Sequence, residues 1–416
     1  MKKIAYVLVI ILVLSFVPGG ITFAASGEAN TADRLSVSVT MPEKREDEAF
    51  LLTDGFADTY VAFNRESTVR FDFSAEAATL VTVWESEPAN APTLRCFAGE
   101  TLLSEDPLSV PYLCTVTQLP AGTNAVELTL SKSSLSDVCA FGAGELPEDV
   151  YQWTSADQPD VLLLAAYPGD EYRVYGGLLP KLVNDGANVV VCYCADHSRL
   201  QLESGFSALW ALGVQNYPVR LGVQTRLSLD YKTLQRSWSR EHGEKLLETA
   251  IKDLHPAVII APSDSADALP GDRIVCEYAK AICKKHRDYY QKLYVVYAGE
   301  DRLTVKDELL PLYENRSARE IAEEQLATFR SFDYWEYTVP AEVSYRLVYS
   351  ASEAGAANEP FFENLSVTLH PAVTATPEPT PTPEPTEVPT EAPTSTPAPT
   401  EAPTEVPTEI PTEAPT

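Results

Sequence analysis

The sequence predicts two folded parts in series: an all-β sandwich, then an α/β domain whose parallel sheet carries helices on both faces. Residues 35–143 alternate apolar and polar side chains in short runs separated by Pro, Gly, Asn and Asp, the period-2 signature of half-buried strands. Residues 158–300 instead alternate short apolar runs with longer amphipathic stretches, as strands joined by crossover helices do. Between them, residues 144–158 read as a linker, and the α/β part with its C-terminal additions spans 159–372.

The ends belong to neither part. Lys2 and Lys3 precede an apolar run from Ile4 to Val17, a Pro18-Gly19-Gly20 break and the small residues Ala24-Ala25-Ser26. Residues 1–25 therefore read as a secretory signal peptide; the alternative is an uncleaved anchor, for which the run is short beside the ~20 residues of a spanning helix. Residues 374–416 repeat Pro, Thr, Glu and small residues with no aromatic side chain and no Lys or Arg. Such a segment buries no core and favours polyproline II. At ~3.1 Å per residue it would reach on the order of 130 Å, enough for a stalk associated with a cell wall. The expected location is extracellular, secreted or at the cell surface.

Formal charge is −29, a balance that argues against nucleic acid or anionic lipid as partners. The seven cysteines are odd in number and match no zinc-cluster spacing. Cys96 and Cys114 are a possible bridge; Cys192 and Cys194, two apart on an expected strand, point to one face as a buried apolar pair.

In the first part, strands are expected through Leu35, Val37, Val39 and Met41, through Val69, Phe71 and Phe73, from Leu80 to Trp84, and through Val126, Leu128 and Leu130. The phrase Leu52-Thr53-Asp54-Gly55-Phe56-Ala57-Asp58-Thr59-Tyr60 resembles the first-loop signature of galactose-binding-like (discoidin-type) sandwiches. That resemblance makes Asp54 a candidate for a structural calcium, with a plain turn residue as the other reading. Tyr60, Phe63 and Trp84 are candidates for core or for sugar stacking.

In the second part, strands are expected at 161–166, 188–194, 217–222, 257–262 and 292–298. Helices are expected at 174–185, 199–213, 231–253 and 272–286. A functional crevice in such folds lies outside the carboxyl ends of the strands. The first of those ends reads Ala166-Tyr167-Pro168-Gly169-Asp170-Glu171, five residues before Gly176-Gly177.

That phrase resembles the strand-end His-Pro-Asp-Asp-Glu of PIG-L-type (LmbE-like) de-N-acetylases, zinc enzymes that remove acetyl groups from N-acetylglucosamine-type sugars. The likeness extends to Asp196-His197, to Arg199-Leu200-Gln201-Leu202-Glu203 before Leu212-Gly213-Val214, to 315–325 and to Pro360–Asn364. It implies a Rossmann-like fold, a zinc cofactor and glycans carrying N-acetylated amino sugars as partners. Residue by residue, the family's ligand histidine is Tyr167, its catalytic base is Gly169, and its ligand aspartate is Asp170. Its second histidine motif reads Leu269-Pro270-Gly271-Asp272-Arg273, with Asp272 in place of the third ligand. Glu171, Arg199, Glu203 and His197 are the crevice candidates.

Catalytic zinc takes three strong protein ligands and keeps one position for water. A phenol with a reference pKa of ~10 is a poor neutral-pH ligand, and glycine takes no proton, although general-base catalysis typically supplies ~10²–10⁴-fold. Two carboxylates and a phenol suit a harder cation such as calcium or magnesium. The expectation is therefore a degenerate de-N-acetylase that binds amino-sugar glycans. The alternatives are an active deacetylase using Asp170, Asp272 and Tyr167 or Glu171, and a structural surface protein. Asp170 could equally be a helix cap, Arg199 with Glu203 a solvated pair, and Gly176-Gly177 a packing device on the sheet.

Overall fold

Alternation of buried and exposed side chains sorts the first part into two antiparallel sheets. The computed structural model describes residues 31–42, 45–196, 198–224, 230–286, 292–298, 303–329 and 338–350. Residues 1–25, read as a signal peptide, His197, Pro360–Asn364 and residues 374–416, read as a stalk, lie outside these described residues. The strands are β1 (Arg34–Leu35), β2 (Val37–Thr40), β3 (Val61–Phe63), β4 (Ser67–Phe73), β5 (Thr79–Ser86), β6 (Thr93–Ala98), β7 (Thr101–Pro107), β8 (Cys114–Gln118), β9 (Ala125–Leu130) and β10 (Ser133–Phe141). One sheet runs β1-β10-β5-β8, with β3 also on β10; the other runs β2-β4-β9-β6-β7. Phe63, Phe71, Trp84, Leu128 and Leu135 fill the space between them, so Phe63 and Trp84 are core. The single strand expected over Leu35–Met41 is instead two, because the chain crosses between sheets at Ser36: β1 pairs with β10 and β2 with β4. All seven cysteines are free thiols; Cys96 lies on β6 and Cys114 on β8, in opposite sheets, which corrects the suggested bridge.

The second part comprises β11 (Val161–Ala165), α1 (Asp170–Arg173), α2 (Leu178–Asn184), β12 (Val189–Asp196), α3 (Arg199–Leu212), β13 (Val219–Gln224), α4 (Tyr231–Arg240), α5 (Gly243–Leu254), β14 (Val258–Ala261), α6 (Pro270–Lys285), β15 (Lys292–Val296), β16 (Leu303–Lys306), β17 (Leu309–Leu310), β18 (Arg316–Ser317), α7 (Ala318–Ala327) and β19 (Glu342–Ser350). Strand order is β13-β12-β11-β14-β15-β19-β16, parallel through β15 and antiparallel beyond it. Every residue of β11 is buried because both faces are covered. Val161, Leu163 and Ala165 join the core under α2, α3 and α7, whereas Leu162, Leu164 and Ala166 join the one under α4, α5 and α6. Cys192 and Cys194 are buried together in the second of these cores. No helix among the described residues is long and apolar enough to cross a membrane.

Two helices differ from expectation. The one expected at 174–185 begins only at Leu178, as α2, and the short α1 precedes it; Gly176, at φ +60°, separates the two. A Cβ on Gly177 would lie 2.6 Å from Ala318 Cβ, and one on Gly176 would lie 2.7 Å from the Pro340 carbonyl. The glycine pair therefore admits the C-terminal additions, α7 and the approach to β19, rather than the sheet. The long helix expected at 231–253 breaks at His242, which sits in the left-handed region at φ +58°.

Residues 144–158, read as a linker, are packed along the α/β part. Trp153 makes edge-on contacts with Tyr151, Phe206, Trp210 and Tyr217 at centroid distances of 5.4–5.7 Å. Tyr112 of the sandwich stacks on Tyr217 at 4.7 Å. Trp210 Nε1 donates to the Glu148 carbonyl at 2.6 Å, and Thr154 N to that of Gln215 at 2.9 Å. One continuous core thus runs from the sandwich into the α/β sheet. Trp153→Ala should cost about 3–5 kcal/mol in equilibrium denaturation; a loss below about 1 kcal/mol, the level of an ordinary surface change, would contradict a packed junction.

Candidate functional site

β12 and β14 flank β11 on opposite sides, so the chain reverses direction across the sheet at β11 and β14. Loops leaving their carboxyl ends converge at that switch point. After β11 the chain turns through Gly169, whose φ of 101° lies in the left-handed region that disfavours side chains. The position that the resemblance gives to the base is thus a backbone turn shaped for glycine.

Asp170 opens α1 and accepts a hydrogen bond from Tyr167 N on Oδ2 at 3.0 Å, a bond to the loop before the helix; the N-cap of α1 is Gly169, and no side chain caps the helix's own amides. Its Oδ1 accepts from Arg173 Nε at 2.7 Å. Arg173 Nη2 also donates to both oxygens of Asp272, at 3.0 and 2.8 Å. Asp272 lies in the first turn of α6, after β14. The guanidinium therefore joins the two loops of the switch point as a charge-assisted bridge. Tyr167, Asp170, Glu171 and Asp272 are only 8, 2, 0 and 3 % exposed. Burial raises the Asp272 carboxyl and Arg173 opposes that rise.

Tyr167 fills the space beside this bridge. Its ring packs on α6 where Gly271 has no Cβ to obstruct it, at a distance of 3.1 Å from where that Cβ would be, and it meets Trp238 edge-on at 6.2 Å. Its hydroxyl is buried without a hydrogen-bond partner among the described residues. Burial, then the Asp170 and Asp272 charges, push that phenol well above its usual range. Glu171 faces away from the bridge: Oε1 accepts from Tyr193 OH at 2.7 Å and Oε2 from Gly169 N at 2.8 Å. Gly205 of α3 lets Pro168 and the Tyr193 hydroxyl approach, its Cβ position being 3.1 and 3.2 Å from them. Burial pushes the Glu171 carboxyl up to about 8.

This donor set does not fit zinc. Both oxygens of Asp272 and one of Asp170 serve Arg173, the other oxygen of Asp170 serves a backbone amide, and Tyr167 holds its proton. Among the described residues no three His, Cys, Asp or Glu side chains stand together as a metal cluster. Asp264, in the loop before α6, pairs with Lys280 instead.

Arg199 and Glu203 correct the sequence reading in both its forms. They pair with each other on α3, but the pair is largely buried, and Arg199 Nη1 donates to the Glu85 carbonyl of the sandwich at 3.0 Å. They bind the two folded parts together rather than face Asp170 and Asp272. Burial raises the carboxyls of both Glu85 and Glu203. Asp54 is a turn residue: its carboxylate accepts from Phe56 N at 2.9 Å and from Thr59 Oγ1 at 2.9 and 3.0 Å. Arg173 escaped the sequence reading; its one signal was the three-residue spacing from Asp170, which brings charges together on a helix.

No protein-family model matches the chain, and no curated protein matches it in sequence. Among solved structures, it is similar to the conserved protein TT1542 of Thermus thermophilus, with 18% identity, 42% of this chain and 80% of that one covered, and a TM-score of 0.31. A Pyrococcus horikoshii N,N'-diacetylchitobiose deacetylase matches at 15% identity, 42% and 72% coverage and a TM-score of 0.32. A Clostridium perfringens CBM32 domain matches at 13% identity, 26% and 94% coverage and a TM-score of 0.22. Likeness at this level assigns neither family nor activity.

Glu171 gives the site a pH signature. Its folded pKa of about 8 exceeds the ordinary 4.5, so its contribution is fully present below the unfolded value and is lost as pH rises through the folded one. Across that window wild-type stability should fall by at most about 1.4 kcal/mol per pH unit from this group. Thermal melts between pH 5 and 8.5 should show a shallower decline for Glu171→Gln; parallel profiles would place the carboxyl's pKa near its ordinary value.

Proposed function

We propose that the chain is an exported, catalytically silent relative of the PIG-L-type de-N-acetylases that binds glycans carrying N-acetylated amino sugars. The observation that carries the silent reading is the Arg173 guanidinium lying on Asp170 and Asp272. Amide hydrolysis by that family's chemistry needs a metal-held water and a base to take its proton. Here the two remaining carboxylates are engaged by an internal cation, and the base position is a left-handed glycine. The resemblance carried by Tyr167–Glu171 and Leu269–Arg273 supports the amino-sugar ligand class. The leader-like N-terminus supports export, and the Pro/Thr/Glu tail supports a role as a stalk at the cell wall.

Recognition is assigned to the sandwich. The turn held by Asp54 leaves Phe56 and Tyr60 exposed at 44 and 46 %, and two exposed aromatic faces, one with a hydroxyl at its edge, suit the mixed surface of a pyranose. Purified without chelator and dialysed against zinc, the wild-type chain should retain well under one equivalent of metal and release no acetate from N-acetylglucosamine oligomers. A full equivalent that is lost in Asp170→Ala would instead support an active deacetylase. Binding to the same oligomers should weaken about tenfold or more, the equivalent of ~1.4 kcal/mol, in Phe56→Ala/Tyr60→Ala. Undiminished binding would remove the sandwich from recognition, and no binding by the wild type would favour a structural surface protein.

A further inference from the structure

We propose that Asp170 and Asp272 form a cation site whose resident cation is the chain's own Arg173, and that without this side chain the site takes a free cation. The inference deepens the silent reading of the same site and rests on it. The two carboxylates come from loops 99 residues from Arg173 at the far end and three at the near end, yet one guanidinium reaches both through three N–H···O contacts of 2.7–3.0 Å. The side chains of Asp170, Asp272 and Arg173 are 3, 5 and 12 % exposed. Two carboxylates so buried stay ionised together only with a positive charge between them. Because Arg173 is carried on the same short helix as Asp170, it is present at high effective concentration and outcompetes dilute ions.

Removing the guanidinium leaves two carboxylates around a space of its size, beside the unpartnered Tyr167 hydroxyl. Oxygen donors in that number, completed by water, suit a hard divalent ion such as Mn²⁺; the planar guanidinium ion would restore the original contacts.

The test uses the full chain and three proteins: wild type, Arg173→Ala, and Arg173→Ala/Asp170→Asn/Asp272→Asn. Wild-type Tm should be indifferent to EDTA and to Mn²⁺. Arg173→Ala should lower Tm by about 10 °C, with a saturable recovery on adding Mn²⁺ or low-millimolar guanidinium, and one Mn²⁺ per chain by EPR titration. The triple variant should melt above Arg173→Ala and bind no Mn²⁺. If Arg173→Ala alone does not fold, recovery of a folded chain in the triple variant supports the site, and no recovery overturns it. An Arg173→Ala protein as stable as wild type, or one that neither cation stabilises, also overturns it. The two readings separate cleanly: a metal-free wild type with an indifferent Arg173→Ala sinks only this inference, whereas metal bound with Arg173 in place sinks the silent reading.

Discussion

Two carboxylates buried at the ends of neighbouring parallel strands repel each other and lose their hydration, so both stay ionised only with a cation between them. Here that requirement organises the whole switch point. Arg173 must sit one helical turn after Asp170, α1 must be short enough to aim it at α6, and α6 must carry Asp272 in its first turn, close to β14. Gly271 and Gly169 then follow as the residues that let α6 approach Tyr167 and let the chain turn into α1. A metal ion can meet the same electrostatic requirement, but an arginine meets it at any metal concentration. The interaction also carries direction, since a guanidinium fixes the plane of the carboxylate it grips whereas a hard ion does not.

A second polar contact has a different task. Arg199, Glu203 and Glu85 stand where the sandwich meets α3, and the aromatic group around Trp153 continues that contact with apolar area. Ion pairs at such a junction add little net stability after desolvation, so the rings supply most of the adhesion and the charges fix the register. A sandwich held in this way presents its loops in a constant orientation to the α/β sheet.

Much of the architecture was legible because strands and crossover helices leave different periods. Val161–Ala165, apolar at every position, reads as a strand covered on both faces, and Val69, Phe71 and Phe73 read as one covered on a single face. Legibility failed where backbone conformation or distant contacts decide. His242 is an ordinary helical residue in sequence and a left-handed break in the fold. β7 has no apolar alternation because it is an exposed edge strand. Gly176-Gly177 announced close packing but not its partner, since Ala318 and Pro340 lie more than a hundred residues on. The carboxylates of the site could be named from a motif; the arginine between them could not, because its second partner is brought to it only by the parallel order of β11 and β14.

The residues at the site are interlocked, which bears on whether single changes could open it to a metal ion. An aspartate placed at Gly169 would carry its Cβ in a left-handed conformation at a cost of about 1–3 kcal/mol. A histidine placed at Tyr167 would face carboxylates already engaged by Arg173. Loss of Arg173 alone would leave two buried charges and destabilise the loops that any new ligand must be built upon. Each such change therefore passes through a less stable chain, while the present arrangement satisfies every carboxylate oxygen at the switch point. That asymmetry makes Asp170, Arg173 and Asp272 a structural unit that ties the two loops together.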